Sequence, residues 1–235
     1  MSASTNPDLP RWKSEFHVVL PDLERRQVLL LPGDTGETLP TYSVEGRLWV
    51  GDSYEIITHL RERLGLAGDF TILRYLNLEL SETERWVRVW LVLETHGEFA
   101  EPPLNGRWVE REGLANVSLV DEESRALLLD YLDGESAGRI VPLRAPWAES
   151  GWFAQASHWM TETLSSLGRS PTGPVQQFRN LGISSVLCVP TAAGWVYLKA
   201  TAKLPLFINE GAFMAQLAER FPGQVPRPDF PTLSG

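Results

Sequence analysis

Three extended segments succeed one another late in the chain: "PVQQFRN" (174–180), "SSVLCVP" (184–190) and "GWVYLKA" (194–200). The links between them, "TAAG" among them, are too short for a crossover, so the segments must pair as an antiparallel meander. In the third, Trp195 and Tyr197 alternate with Val196 and Leu198, the aromatic and β-branched mixture that suits a pleated, half-buried surface. Lys199 breaks that run. The chain then enters no polar linker but an apolar helical pattern, "LFINEGAFMAQLAERF" (206–221), with Glu210 near its start. Leu206, Phe207, Phe213, Leu217 and Phe221 are spaced to face inward from it. Another helix, "GWFAQASHWMTETLSSLG" (151–168), precedes the meander. It carries Trp152, Ala156, Trp159, Met160, Thr163, Leu164 and Leu167 at helical spacing, and Gly168 in the place of a C-cap glycine.

The first 150 residues have a different character. "EFHVVL" (15–20) and "QVLLL" (27–31) read as two strands of a hairpin around the charged loop "PDLERR". "DSYEIITHLRERLGL" (52–66) reads as a helix, with Asp52 and Glu55 spaced as a capping box. Ile56, Ile57, Leu60 and Leu64 form its apolar face, and Gly65 stops it. Extended segments at 70–80 and 85–94 come next, the latter with bulky apolar residues at alternate places, and "GRWVERE" (106–112) adds a further strand. "DEESRALLLDYL" (121–132) is a helix with acids in its first turn, where the helix dipole favours them. The turn-rich stretch 134–146 then reads as a linker.

Charge divides the chain in the same place. The net charge is −9, yet residues 151–235 hold 6 Lys and Arg against 4 Asp and Glu, leaving 15 basic and 26 acidic residues in the first 150. An acidic first half repels nucleic acid and anionic membranes, so neither is an expected partner. No segment has signal-peptide or membrane-spanning length, and the one cysteine, Cys188, has no partner in the chain. A reduced, cytoplasmic setting is the expectation. His158 lacks a cluster of companion ligands and reads as a surface residue of its helix. No Gly-x-Ser-x-Gly elbow occurs.

The order helix, three strands, helix, with Lys199 on the third strand and Glu210 on the next helix, resembles the N-terminal lobe of the aminoglycoside phosphotransferase family, relatives of the protein kinases. The phrase "VYLKA...PLFINEGAFMAQLAERFPGQVPRP" carries the likeness, helped by "PWAESGWFAQASHWM" before it, over roughly the last third of the chain. The resemblance implies ATP as cofactor, its α- and β-phosphates met by Lys199 and the lysine oriented by Glu210. It also implies a phosphate loop at "NLGISSV" (180–186), with Gly182 allowing close backbone approach and Ser184 and Ser185 adding hydroxyls. Magnesium ligands and the catalytic residues belong, in that family, to a second lobe whose motifs do not occur here. No catalytic residue and no metal ligand is therefore expected in this chain. The phosphate acceptor, an unknown small molecule, is left open. The bland alternatives are a snorkelling edge lysine and a glutamate that merely favours a helix start.

The first unit resembles a Nudix domain, the fold of enzymes that hydrolyse nucleoside diphosphates linked to another group. Aligned on Gly65, the metal-binding helix of that family falls on Thr58, His59, Glu62 and Arg63, so one acid of three survives. The family's leading glycine and the glutamate after it fall on Val44 and Val50. The resemblance thus implies a Nudix-like scaffold without its hydrolytic chemistry.

The expectation is an α+β protein of two units: a degenerate Nudix-like domain over 15–133, a linker over 134–146, and a kinase-like N-lobe over 147–235. Its function would be that of the N-terminal portion of an ATP-dependent small-molecule phosphotransferase, inactive as this chain. A non-catalytic binding module on the Nudix-like fold is the alternative. Three strands where such a lobe has five further imply a fragment, with an apolar patch near the C-terminus and self-association through an unpaired edge.

Overall fold

The computed structural model describes residues 11–22, 24, 26–66, 69–96, 102–138, 144–205 and 209–228. In chain order its elements are β1 (Lys13–Val19), β2 (Pro21–Asp22), β3 (Gln27–Pro32), β4 (Glu37–Thr38), β5 (Thr41–Glu45), α1 (Ser53–Leu64), β6 (Phe70–Ser81), β7 (Trp86–Thr95), β8 (Arg107–Glu110), α2 (Glu122–Ser136), α3 (Trp152–Ser166), β9 (Gln176–Asn180), β10 (Ser184–Thr191), β11 (Gly194–Thr201) and α4 (Glu210–Arg220). The fold is α+β, with no closed barrel among the described residues.

The first unit centres on a mixed sheet in the order β5-β1-β7-β6, in which β1 and β7 run parallel and the other pairs antiparallel. Its middle strand β7 is apolar on both faces because both are covered. Val87, Val89, Leu91 and Leu93 join Phe16, Val18 and the α1 residues Ile56, Ile57 and Leu60 in one core. Trp90 and Val92 join Leu128, Tyr131 and Leu132 of α2 in the other. The buried Trp90 indole donates to Ser124 Oγ at 2.9 Å, and Ser124 donates to Asp121 Oδ2 at 2.6 Å. Asp121 also caps α2, its Oδ1 accepting the Glu123 N–H at 3.0 Å. Ser124 thereby satisfies a tryptophan in the core and links it to the capping acid.

Several elements depart from the sequence reading. The segments 15–20 and 27–31 do not form one hairpin: β1 is flanked on both sides by β5 and β7, so β3 pairs instead with β2, β4 and β8. The chain passes between the two sheets at Leu20, whose carbonyl accepts the Leu29 N–H at 3.0 Å. Asp52 makes no side-chain cap on α1; its carboxylate accepts from Arg179 at 3.1 Å. Gly65 ends that helix as expected, in the left-handed region at φ 64°. The helix α2 runs on to Ser136, into the stretch read as linker, and 139–143 of that stretch lie outside the described residues.

In the second unit, β9, β10 and β11 form the antiparallel meander, with β10 central. One face packs on α3: Leu187 and Val189 bury against Met160 and Leu164, with Trp152, Phe153, Ala156, Val196 and Leu198 around them. Burying each such side chain contributes roughly 1.5–3 kcal/mol. Trp159 and Leu167, read as inward, are exposed, because the buried stripe runs along the i, i+4 row 152–156–160–164. A bulge between Val186 and Leu187 inserts Phe178 into β9. On the opposite face Cys188 is buried beside the edge-on ring pair Phe178 and Tyr197, centroids 5.8 Å apart.

The two units meet along β9 and the turn after it. Asn180 donates its backbone N–H to Gly51 at 3.1 Å and its amide to the Ile72 carbonyl at 2.8 Å. Gln177 bonds the same Ile72 backbone, and the Leu181 side chain lies against Gly51. The Gly151 N–H reaches Glu94 at 2.5 Å. These bonds are largely buried, so breaking one strands a polar group away from water.

Candidate functional site

Lys199 sits on β11 directly opposite Val186, which in turn faces Arg179 on β9. Residues paired in this way project from the same side of a sheet, so Lys199, Val186 and Arg179 form a row across the face turned away from α3. Trp195 and Tyr197 share that face by alternation and are 54% and 55% exposed. The result is an open surface carrying two cations among aromatic rings.

Glu210, in the first turn of α4, reaches Lys199 and forms an ion pair with it through Oε1. The Lys199 side chain remains 45% exposed and that of Glu210 31%. Glu210 Oε2 is buried and has no hydrogen-bond partner among the described residues. The carboxylate thus anchors a flexible ammonium from one side and leaves the rest of it open. In a surface setting the pair itself is worth little stability, about 0–1 kcal/mol. Its effect is positional.

The residues of the expected phosphate loop do not gather at Lys199 in the same way. Ser184 is half-buried and pairs with Thr201 at the end of β10. Ser185 is fully buried, and its hydroxyl donates to the Arg179 carbonyl at 3.3 Å. It projects to the α3 side of the sheet, away from Lys199. Gly182 lies in a tight turn closed by the Leu181 N–H donating to the Ser184 carbonyl at 2.8 Å, with open space where a Cβ would stand. That turn rests on Gly51 of the first unit through the Asn180 N–H and the Leu181 side chain.

The helix α4 begins at Glu210, and Leu206 and Phe207 lie outside the described residues. Phe213 and Phe221, read as inward, are 59% and 41% exposed, Leu217 is half-buried, and Ala218 alone is buried. The apolar face of the meander is already taken by α3, so α4 meets the sheet at its charged row instead.

Sequence reasoning misses Arg179. Its guanidinium lies 5.0 Å from the Trp49 ring centroid and 5.6 Å from that of Phe178, and it bonds Asp52 at 3.1 Å. Only the bulge at Phe178 puts it in line with Lys199. On α1, His59 Nδ1 stands 3.9 Å from Glu62 Oε2, with Arg63 exposed beside them. No group of three His, Cys, Asp or Glu side chains suited to a metal ion occurs among the described residues. His158 is exposed and pairs with Glu162 at 3.2 Å. No helix among the described residues is long and apolar enough to cross a membrane.

No protein-family model matches the chain, and no curated protein matches it. Among solved structures it is similar to a "putative oxidoreductase" from Sinorhizobium meliloti 1021, at 18% identity and a TM-score of 0.39. The similarity covers 54% of this chain and 40% of the length of that one. A likeness of this size carries no argument about fold or activity.

Proposed function

We propose that the second unit contacts a nucleotide polyphosphate through Lys199, as the N-terminal lobe of an ATP-dependent small-molecule phosphotransferase does. The observation that carries this reading is the Lys199–Glu210 ion pair, which joins the third strand of a meander to the first turn of the helix after it. An ammonium near a phosphate charge at a protein surface gains attraction, which the adjacent Glu210 carboxylate and solvent screening cut down. Glu210 raises the fraction of time that Lys199 spends in place. Trp195 and Tyr197 give the same face flat apolar rings beside the cations.

ATP fits this surface through charge, with the Lys199 ammonium partly free to meet an oxyanion. Magnesium has no comparable seat among the described residues, so no step is assigned to it. The chain's own part is to bind and orient phosphate; transfer and the acceptor are not assigned to it. The turn at Gly182 contributes least, since Asn180 and Leu181 hold it against Gly51 of the first unit.

The test is equilibrium binding of ATP and AMP to the full chain and to Lys199→Met and Glu210→Gln. ATP should bind weakly and lose about tenfold, some 1.4 kcal/mol, in Lys199→Met. Glu210→Gln should lose less, and AMP should change little. Equal ATP binding by wild type and Lys199→Met would sink the proposal.

A binding-module reading of the first unit has one observation in its favour. His59 and Arg63 stand on α1 at places where the resemblance to Nudix domains calls for metal-binding acids.

A further inference from the structure

A cavity of about 470 Å³ lies between the two units, bounded by β6, α2, the 3-10 turn Pro146–Ala148 and the turn after β9. That volume is in the range of small-molecule sites. Arg74 of β6 donates Nη1 to Glu135 Oε1 at 2.9 Å, and its guanidinium lies 5.5 Å from the Tyr131 ring centroid. Arg144 Nη1 is 3.7 Å from the same oxygen. These side chains are only 13% (Arg74), 22% (Glu135) and 16% (Arg144) exposed. One carboxylate therefore serves two guanidiniums on the inner wall, and the lining as a whole carries two arginines against two carboxylates, Glu135 and Asp130. Asp130, which also lines the cavity, is an exposed residue.

The same wall holds polar atoms with nothing to bond. Arg74 Nε and Nη2, the Tyr131 hydroxyl and Asn180 Oδ1 are buried without hydrogen-bond partners among the described residues. Tyr131 and Asn180 are 5% and 3% exposed. Of the eight such side-chain atoms among the described residues, four are thus gathered in the lining of one cavity. A buried polar group without a partner is costly, and native structures hold few of them. Nε and Nη2 lie along one edge of the guanidinium, the parallel fork that fits a carboxylate or phosphate in two-pronged fashion.

We propose that this cavity binds a small hydroxylated organic anion, its oxyanion taken by Arg74 and Tyr131 and a ligand hydroxyl donated to Asn180 Oδ1. The orphaned atoms are sealed from water as the side chains stand, so entry requires a shift. Glu135 permits one: Arg74 turns from it to the ligand, and Arg144 moves from 3.7 Å into full contact with the carboxylate that Arg74 leaves. The site is separate from Lys199 and does not depend on how that residue is read.

Calorimetric titration and thermal shift of the full chain with glucose 6-phosphate, gluconate and glucose test the proposal and separate a phosphate from a carboxylate ligand. At least one anion should bind and raise the melting temperature, while uncharged glucose should do neither. Arg74→Gln should weaken binding by about tenfold, the loss of one charge-assisted contact. Tyr131→Phe should weaken it by a smaller factor without lowering the melting temperature of the free protein, since the lost hydroxyl has no partner to abandon. Failure of both anions to bind at millimolar concentration overturns the proposal. Equal binding of glucose, or unchanged affinity in Arg74→Gln, overturns it as well.

Discussion

Gln177 gives Ile72 both of the hydrogen bonds that a neighbouring strand would supply. Its Oε1 accepts the Ile72 N–H and its Nε2 donates to the Ile72 carbonyl, each at 2.9 Å. Ile72 lies on β6, the outer strand of its sheet, at a place where the register with β7 shifts. One side chain of the second unit thus completes the backbone of the first.

Gln177→Leu should therefore act on both units. The carbonyl of Ile72 keeps the Asn180 amide, but its N–H is left buried without a partner, at a cost of about 1–3 kcal/mol. Scanning calorimetry should show a single transition in wild type and a broadened or divided one in the variant. A single sharp transition at the wild-type temperature would refute the coupling.

Glu15 should make stability depend on acid. The His17 imidazole, 3.0 Å away, is the main reason that its carboxyl is lowered to about 2, Lys13 adds to the effect, and burial opposes it. A carboxylate lowered in this way stabilises the fold above its unfolded value, near 4.3, and loses that contribution as pH falls towards 2. The difference between wild type and Glu15→Gln should be on the order of 2 kcal/mol near neutrality and should vanish near the lower limit. Denaturant titrations across that range measure it, and a difference that does not shrink with acid contradicts it.

The first unit should not hydrolyse nucleoside diphosphate derivatives at a measurable rate in magnesium. His59→Glu with Arg63→Glu should increase magnesium binding on α1, where the two positions flank Glu62, yet leave hydrolysis absent because outer hydrogen-bonding groups are also needed. Phosphate release from a substrate panel provides the check. Activity in wild type that disappears in Glu62→Gln would reverse this expectation.

The open face should bind a hydrophobic dye while the protein is folded. Trp195, Tyr197 and Phe213 are 54%, 55% and 59% exposed, an unusual amount of aromatic surface to leave wet. Replacing Trp195 and Tyr197 by Ser should cut the fluorescence by about half or more while altering stability by less than about 1 kcal/mol. Unchanged dye binding in that double variant would place the dye elsewhere.

The elements legible in the sequence are those whose burial is one-sided or complete. The alternation through Trp195–Leu198 and the apolar run of β7 mark strands because local pattern and tertiary burial agree. The strand β5, "TYSVE", alternates as a one-sided strand does but passes unnoticed, because the pattern lasts only five residues and rests on two buried side chains, Tyr42 and Val44. Asp52 and Glu55 look like a capping box, but Asp52 is drawn to Arg179, 127 residues away. The Lys199–Glu210 pair is legible because it spans only 11 residues. The cavity is not. Arg74, Tyr131, Arg144 and Asn180 come from separate elements, and each alone reads as an ordinary polar residue.

Cys188 gives the protein a clock of its own. The chain has no other cysteine, and this one sits on the central strand of the meander, 3% exposed beside the Phe178 and Tyr197 rings. Burial pushes its thiol pKa up, so a thiol reagent must wait for the strand to open and expose it. At a reagent concentration where modification outpaces reclosing, the rate of modification equals the rate at which the thiol is uncovered. The lifetime of the closed sheet can thus be timed on the unaltered chain, residue by residue as neighbours are changed, without attaching any probe.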